Sequence, residues 1–376
     1  MEFQHKISFC IVCMNRLYQL QKTLLQNIKD NEEYDNVEFV VLNYNSKDGM
    51  EEWIKENFLD HINTGKMVYY KTTDPEKFSH SHSKNLAFKL AEGDIVCNIN
   101  ADNYTGIGFA AFIDQAFKNN SNIVLTCDDF YKTKKNYDPP HDVVGRVCVK
   151  KRDFLNVKGF DERMKDYGFE DCDFVNRIEF SGVKRALIED FSFLKHLKHT
   201  NEERYPFHLL MQQIGRIYVH YISPWSSSVL FLWKDSSFQS GTWIENRARW
   251  ADLPSNSYSS DTLKHEIGRL EDEWITGKWN EQEGLVKIQS ESSSINFLMK
   301  DDGNLIKKSN DNKQSIEYFL IQDEAVIKEC IYFNFFYTNW AILEKNLENK
   351  VIKVNPAGFG KAHIHKNFSE HENYAE

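Results

Sequence analysis

The turn after the first apolar stretch of this chain contains no glycine. Residues 7–14 form a near-continuous apolar run that ends in Cys13-Met14-Asn15-Arg16. A dinucleotide-binding fold needs G-x-G-x-x-G there to bring backbone N–H groups against a pyrophosphate, so a dehydrogenase loses its main support. Positive charge is also short. The net charge is -10, and no Lys/Arg run is long or amphipathic enough to hold anionic lipid, so no nucleic-acid partner and no polybasic anchor are expected. No apolar run approaches the ~18 residues of a membrane span. Residues 1–6 lack the charged-then-apolar layout of a signal peptide, and the expectation is a cytoplasmic protein or one held peripherally at the inner face of the membrane. Cysteine is scarce and odd in number, with seven residues lying mostly in strand-like runs. These read as reduced core thiols. Cys10 and Cys13 form a CxxC, but in a strand they leave on opposite faces, and no second pair completes a zinc set.

What is present is a chain of 376 residues, about twice a typical domain, with 41% hydrophobic and 27% charged residues. Two folded domains follow as the expectation. Over the first 200 residues strand and helix signals alternate. Apolar runs at 7–14, 37–42, 67–70, 94–99 and 123–127 read as buried strands, and Leu17/Leu20/Leu24/Ile28, Leu86/Leu90 and Phe109/Phe112/Ile113/Phe117 fall at helical spacing. That alternation predicts a mostly parallel sheet with helices on both faces. Residues 209–260, rich in Trp, Ser and Tyr, read as a packing connector. Leu263, Ile267, Leu270 and Trp274 then mark a helix. Short runs at 285–288, 295–299, 316–321, 331–337 and 340–343, with a turn at 302–304, predict a smaller antiparallel β domain over 261–376, ending in a frayed polar tail of about 17 residues.

Four polar segments sit where such a sheet binds ligands, at strand carboxyl ends or helix starts. Asn15 and Arg16 close the first. Asn43 and Asn45, in Asn43-Tyr44-Asn45-Ser46, close the second, where amide side chains suit a base edge or a ribose; a plain Asx-rich turn is nearly as good a reading. Lys84 and Asn85 open a helix whose N–H groups favour a phosphate. His80 and His82 nearby read as surface histidines before metal ligands. The fourth, Asn98-Ile99-Asn100-Ala101-Asp102-Asn103, leaves one carboxylate at a strand end, placed to bind a divalent cation through oxygen. Downstream, Tyr167-Gly168-Phe169-Glu170-Asp171-Cys172-Asp173 puts three acids at a helix start. Pure helix capping would account for them, but an acid there also has the place of a base for an acceptor hydroxyl.

In this order the segments resemble the GT-A nucleotide-diphospho-sugar transferase fold, specifically family 2 glycosyltransferases, over about residues 5–205. The stretch Gly168-Phe169-Glu170-Asp171, with His196-Leu197-Lys198-His199 after it, is similar to the Glu-Asp segment and downstream histidine of β1,4-galactosyltransferases. The resemblance implies a GT-A domain at 1–208, followed by the connector and the β-rich accessory domain. It implies an inverting, metal-dependent hexosyltransferase that moves a hexose or N-acetylhexosamine from a nucleotide-diphosphate sugar, foremost a UDP-sugar, to a glycan acceptor. By analogy this would serve bacterial polysaccharide biosynthesis. Asp171 matches the catalytic base and Glu170 an acceptor contact. Asp102 and His199 match protein ligands to Mn2+ or Mg2+, and Asn15, Arg16, Asn43, Asn45, Lys84, Asn85 and Asn100 fall at donor-binding positions. Asn100 stands where the family usually has a first Asp, and Asn43 where it often has an acid. Asn100 is the main support for the alternative, a degenerate domain that binds nucleotide or glycan without transfer, and Asn43 bears on which base the donor carries.

Overall fold

The computed structural model describes residues 4–127, 143–165, 167–198, 211–223, 226–244, 269–270, 274–308 and 315–375. They divide into two units, residues 1–198 with 342–376, and 199–341.

The first unit is built on β1 (Ile7–Cys13), β2 (Val37–Tyr44), β3 (Met67–Thr72) and β4 (Ile95–Asn98), all parallel where they pair. β5 (Asn103–Tyr104) leaves the sheet to pair elsewhere, and β6 (Ile123–Thr126), β7 (Val147–Lys150) and β8 (Lys184–Leu187) complete one side. β9 (Lys195–His196) pairs with β5. Beside β4, β7 runs antiparallel, so the sheet is mixed. Helices α1 (Leu17–Asp30), α2 (Met50–Asn57), α3 (Leu59–Asn63), α4 (His80–Leu90), α5 (Phe109–Asn119), α6 (Lys151–Asn156) and α7 (Glu170–Phe180) cover it. Strand residues alternate between two buried clusters. Phe9, Ile11, Phe39 and Val41 pack with Leu20, Leu24, Phe109 and Ile113 on one face. Cys10, Val40 and Leu42 pack with Leu86, Phe88, Phe154 and Phe174 on the other. A sheet buried on both faces is why the strands read as unbroken apolar runs. Cys13 belongs to the first cluster and Cys10 to the second, on opposite faces. All seven cysteines are buried, and none forms a disulfide.

The second unit is an antiparallel barrel of eight strands: β10 (Ile214–Ser223), β11 (Ser226–Trp233), β12 (Ser237–Ile244), β14 (Ile275–Gln282), β15 (Leu285–Gln289), β16 (Ser294–Met299), β17 (Leu305–Lys308) and β18 (Ser315–Leu320). The pairing of β11 with both β10 and β12 closes it, and the short β13 (Arg269–Leu270) extends β12. Tyr218, Leu230, Phe238, Val286, Phe297 and Leu305 fill the interior. Their sequence neighbours Ile217, Val219, Val229 and Phe231 pack outside against helix α8 (Glu324–Glu348), the alternation a strand imposes.

Three expectations change. Residues 209–260 contain barrel strands β10 to β12 rather than a connector. Residues 331–337 and 340–343, expected as strands, lie in α8, whose start is capped by Asp323 Oδ1 accepting from Val326 N at 3.0 Å. The aromatic content there suggested strands, but Val326, Ile327, Cys330 and Ile331 meet the barrel at helical spacing, and packing overrides propensity. The tail is not frayed where it is described: β19 (Ala362–Lys366) pairs with β3, and β20 (Glu372–Ala375) pairs with β19. Of the helix expected through 263–274, residues 263–268 and 271–273 lie outside the described residues, and Arg269–Leu270 is strand. Among the described residues no helix is long and apolar enough to cross a membrane.

The return of 342–376 to the first unit is tied by Asn346. Its Nδ2 donates to Asp161 Oδ2 at 3.1 Å and Asp173 Oδ1 at 2.7 Å, and its Oδ1 accepts from Arg163 at 2.9 Å. Asp173 also accepts from the buried Arg177 Nε at 2.7 Å. Removing a neutral donor that holds two buried carboxylates leaves both short of a partner, at about 1–3 kcal/mol for each such group. Asn346→Leu is expected to lower the urea midpoint of the first unit clearly, while Asn349→Leu, on the exposed side, leaves it in place; equal midpoints would remove this clasp from the account.

Candidate functional site

Helices α4 and α7 meet over one ammonium group. Ser79 caps α4 by accepting from His82 N at 3.4 Å, and the first turns of the helix carry Lys84 into the interior, 5% exposed. Its Nζ donates to Asp171 Oδ1 at 2.6 Å and to Glu170 Oε1 at 2.9 Å. Both acids open α7, where the helix N-terminus favours negative charge. The chain reaches that start through Gly168 at φ 95° and Phe169 at φ 68°. A phenylalanine in the left-handed region costs on the order of 1–3 kcal/mol. Such strain belongs where the backbone is fixed for a purpose, and here it sets two carboxylates side by side. Asp173, the third acid, turns away to Arg177 and Asn346.

One cation between two carboxylates divides their behaviour. Burial raises Asp171, Lys84 opposes it, and the neighbouring Glu170 charge raises it again, for a value of about 6. Burial would also raise Glu170, but Lys84 and His80 outweigh it and hold Glu170 at about 2. Lys84 is raised despite its burial because two acids face it. His80 Nδ1 lies 3.7 Å from Glu170 Oε1, yet burial holds its imidazole down to about 4, so it is neutral at pH 7. Its ring packs edge-on against Phe78 at 4.7 Å and Tyr167 at 5.2 Å. His82 meets Tyr44 Oη at 2.7 Å and the Lys361 carbonyl at 3.1 Å. Both histidines are half-buried, engaged in packing or hydrogen bonds at the surface of α4.

The other oxygen of Asp171 faces Gly145. A Cβ at that position would lie 2.8 Å from Asp171 Oδ2, so glycine leaves the carboxylate its room. The Gly145 carbonyl accepts from Asn98 Nδ2 at 2.9 Å, and the same amide donates to Asn100 Oδ1 at 3.0 Å. Asn98 thus ties the end of β4 to the loop beside Asp171. Asp102 follows, half-buried; its Oδ1 accepts from Asn103 Nδ2 at 3.0 Å and its carbonyl from Leu197 N at 2.8 Å. His199 lies outside the described residues, and among the described residues no three His, Cys, Asp or Glu side chains are grouped to hold a metal. The single Asp102 carboxylate suits a cation such as Mg2+ that takes one or two protein carboxylates and its other oxygens from substrate phosphates and water, rather than an all-protein cage.

The sequence-predicted donor residues divide. Lys84 joins the acid pair instead of lining a phosphate. Asn85 is fully buried; its Nδ2 donates to the Phe160 carbonyl and Glu162 Oε1, both at 2.9 Å, and its Oδ1 accepts from Phe160 N at 2.7 Å. It staples the Gly159-Phe160-Asp161 turn, with no amide atom left over for a nucleotide edge. Asn43 is likewise committed, to Tyr69 Oη at 2.9 Å and Ser46 N at 2.8 Å. Asn15, exposed at φ 55°, accepts from Lys47 N at 2.7 Å, and Asp48 caps α1 at Leu17 N at 2.8 Å. Asn45 donates to the Pro75 carbonyl at 2.8 Å. These amides therefore join the loops after β1, β2 and β3, and Arg16, partly exposed, stands at the head of α1. The sequence offered no signal for Gly145 or Arg146, marked Asn98 and Asn103 only as polar residues beside the single acid, and offered His80 only as a surface residue or a metal ligand.

A family model described as the N-terminal domain of galactosyltransferase matches residues 129–203, which include Gly145, Glu170 and Asp171. No curated protein matches the sequence. Among solved structures, a mannosyltransferase from Pyrobaculum calidifontis in complex with GDP-Man and Mn2+ is 16% identical with a TM-score of 0.40, covering 50% of this chain and 56% of that one. S. aureus TarS 1-349 is 15% identical with a TM-score of 0.39, covering 49% and 58%. Its complex with UDP-GlcNAc is 13% identical with a TM-score of 0.36, covering 55% and 65%. The chain thus spans less than two thirds of each of these proteins.

Lys84→Met would remove the cation while keeping the volume of the side chain. An opposite charge at this distance moves a carboxyl by about one to three pH units. Asp171 is expected to titrate at least about one pH unit higher in the variant, read by carbon-detected NMR of the side-chain carboxyls. An unmoved titration would separate Lys84 from Asp171.

Proposed function

We propose that the first unit is an inverting glycosyltransferase, taking a hexose or N-acetylhexosamine from a nucleotide-diphosphate sugar, foremost a UDP-sugar, to a glycan hydroxyl. The observation that carries this reading is Asp171, held ionised near neutrality by Lys84 within the segment that matches the galactosyltransferase model. A general base acts best when its own value lies near the working pH and it reaches the attacking oxygen directly.

In this reading Asp171 takes the proton of the acceptor hydroxyl. The oxygen's electron pair forms the new bond to the anomeric carbon, and the bond to the diphosphate breaks with its pair leaving on the nucleotide diphosphate. A single displacement inverts the anomeric centre. Lys84 keeps Asp171 ionised and orients it through Oδ1. Glu170, fixed by the same ammonium, serves as an acceptor contact, and the neutral Phe78, His80 and Tyr167 rings beside it suit the apolar face of a sugar. Asp102, with His199, would hold Mn2+ or Mg2+, which when bound supplies positive charge against the leaving diphosphate. Arg16 at the head of α1 suits the same anion.

Loss of a general base typically costs 10²- to 10⁴-fold. Asp171→Asn is therefore expected to lower transfer at least about a hundredfold, with nucleotide binding by calorimetry kept. Transfer by the variant near wild type would sink the assignment. Binding of UDP or GDP without transfer from any sugar derivative of either would instead favour the binding-only domain to which Asn100 points. The pH profile gives an independent check. Because Asp171 is the free acid below about 6, kcat/KM is expected to be level above that value and to fall about tenfold per pH unit below it. A profile level down to pH 4 would contradict the role.

A further inference from the structure

Arg146 and Arg177 are the largest wholly enclosed side chains among the described residues, both at 0% exposure, but only Arg177 has a carboxylate bonded to it. Through Nη2, Arg146 donates to the Tyr104 carbonyl at 2.9 Å and to Asn103 Oδ1 at 3.4 Å, and its guanidinium lies 5.4 Å from the centre of the Phe109 ring. Its Nε and Nη1 have no hydrogen-bond partner among the described residues. Burial pulls its ionisation downward; the nearby Cys97, Cys127, Cys148 and Asp102 act in the opposite direction. Enclosing a cation without a carboxylate bonded to it costs several kcal/mol, and a well-packed apolar residue in its place is often neutral or stabilising. A residue kept at such expense to stability calls for a purpose other than packing.

Asn103 supplies one. Arginine only donates, so the oxygen of the Asn103 amide must face Arg146, and the NH2 end must then face Asp102, whose Oδ1 it meets at 3.0 Å. Thr23 and Asn27 of α1 fix the backbone beneath, donating to the carbonyls of Ala101 at 2.6 Å and Asn103 at 3.0 Å. On the far side β9 pairs with β5. With the backbone held on both sides, the remaining freedom of the Asp102 carboxylate is its rotation, and the Asn103 amide is one group that bears on it directly.

We infer that Arg146 and Asn103 are positioning residues: Arg146 fixes the sense of the Asn103 amide, and that amide aims the Asp102 carboxylate at the cation carried with the donor diphosphate. The inference rests on the donor site proposed above. Partners of this kind typically account for 10- to 100-fold in metal affinity. Two effects of removing Arg146 have opposite sign, which makes the role testable. If Arg146 positions Asp102, its loss weakens cation binding; if it acts only as a buried charge, its loss strengthens it.

The experiment measures UDP and GDP binding with Mn2+ by calorimetry and bound Mn2+ by electron paramagnetic resonance, on wild type, Asp102→Ala, Asn103→Ala, Arg146→Met and Arg146→Gln. The expected result is a loss of at least about tenfold in Mn2+-dependent affinity for Asn103→Ala and Arg146→Met. Arg146→Gln, which keeps an N–H donor without the charge, is expected to recover most of it. Arg146→Met is also expected to melt no lower than wild type, a split that a merely structural role would not give. If Asp102→Ala loses Mn2+-dependent binding while Arg146→Met keeps or gains affinity, the inference falls and the donor site stands. A loss in Arg146→Met accompanied by a lower melting point also overturns it. If the wild type binds neither nucleotide with Mn2+, or if Asp102→Ala binds as wild type does, the donor-site reading falls and the inference goes with it.

Discussion

A lysine ammonium enclosed between two carboxylates is the constraint on which the rest of the first unit depends. Lys84 would be costly to bury alone, and Glu170 and Asp171 would repel each other without it. Satisfying all three requires α4 and α7 to meet at their N-terminal turns. The helices are joined by the stacked Phe160 and Phe174 rings beneath, 4.2 Å apart, and by Asn85, which holds the turn ahead of α7. The strained backbone at Phe169 and the missing Cβ at Gly145 are local concessions to the same arrangement. The charges then produce chemistry as a by-product of their packing, since one cation cannot neutralise two acids equally. Glu170 settles as a firm carboxylate, and Asp171 remains within reach of a proton near neutrality.

The sequence carried the alternating half of the first unit well. β1 to β4 and α1, α4 and α5 were legible because a doubly covered sheet demands unbroken apolar strands and helices at a 3.6-residue period. It carried the partners poorly. Lys84 and Asp171 are 87 positions apart, and nothing local in His80-Ser81-His82-Ser83-Lys84 says that its lysine turns inward. The hydrogen bonds of the amides were hidden for the same reason. Asn43, Asn45 and Asn85 stand where ligands bind in such sheets, but an amide that joins two loops looks in sequence like one that reads a base. Residue 145 was not noticed because a glycine chosen for a neighbour's carboxylate leaves no pattern of its own.

In the barrel, individual strands were legible and closure was not. Strand signals at 285–288, 295–299 and 316–321 meet β15, β16 and β18 closely. That the ring needs β10 to β12 is a fact of pairing, and a segment rich in Trp, Ser and Tyr with scattered prolines reads as a connector. The run 331–343 fails in the opposite sense, because Phe, Tyr and Trp favour strands by propensity, while Val326, Ile327, Cys330 and Ile331 meet the barrel at helical spacing.

The strands at 362–366 and 372–375 give the first unit a kinetic character. Tyr69 N donates to Asn367 Oδ1 across 298 positions of chain, and β19 pairs with β3 next to it. Contacts at such separation are slow to close and form late. During synthesis, β1 to β4 emerge early, but the edge of β3 must wait for the whole barrel to be translated before its covering strands exist. Over that interval β3 presents an open ladder of N–H and C=O groups, the kind of edge that invites pairing with another chain. The nascent chain is therefore most vulnerable to association, and most in need of a chaperone, between completion of β4 and release of the last strands.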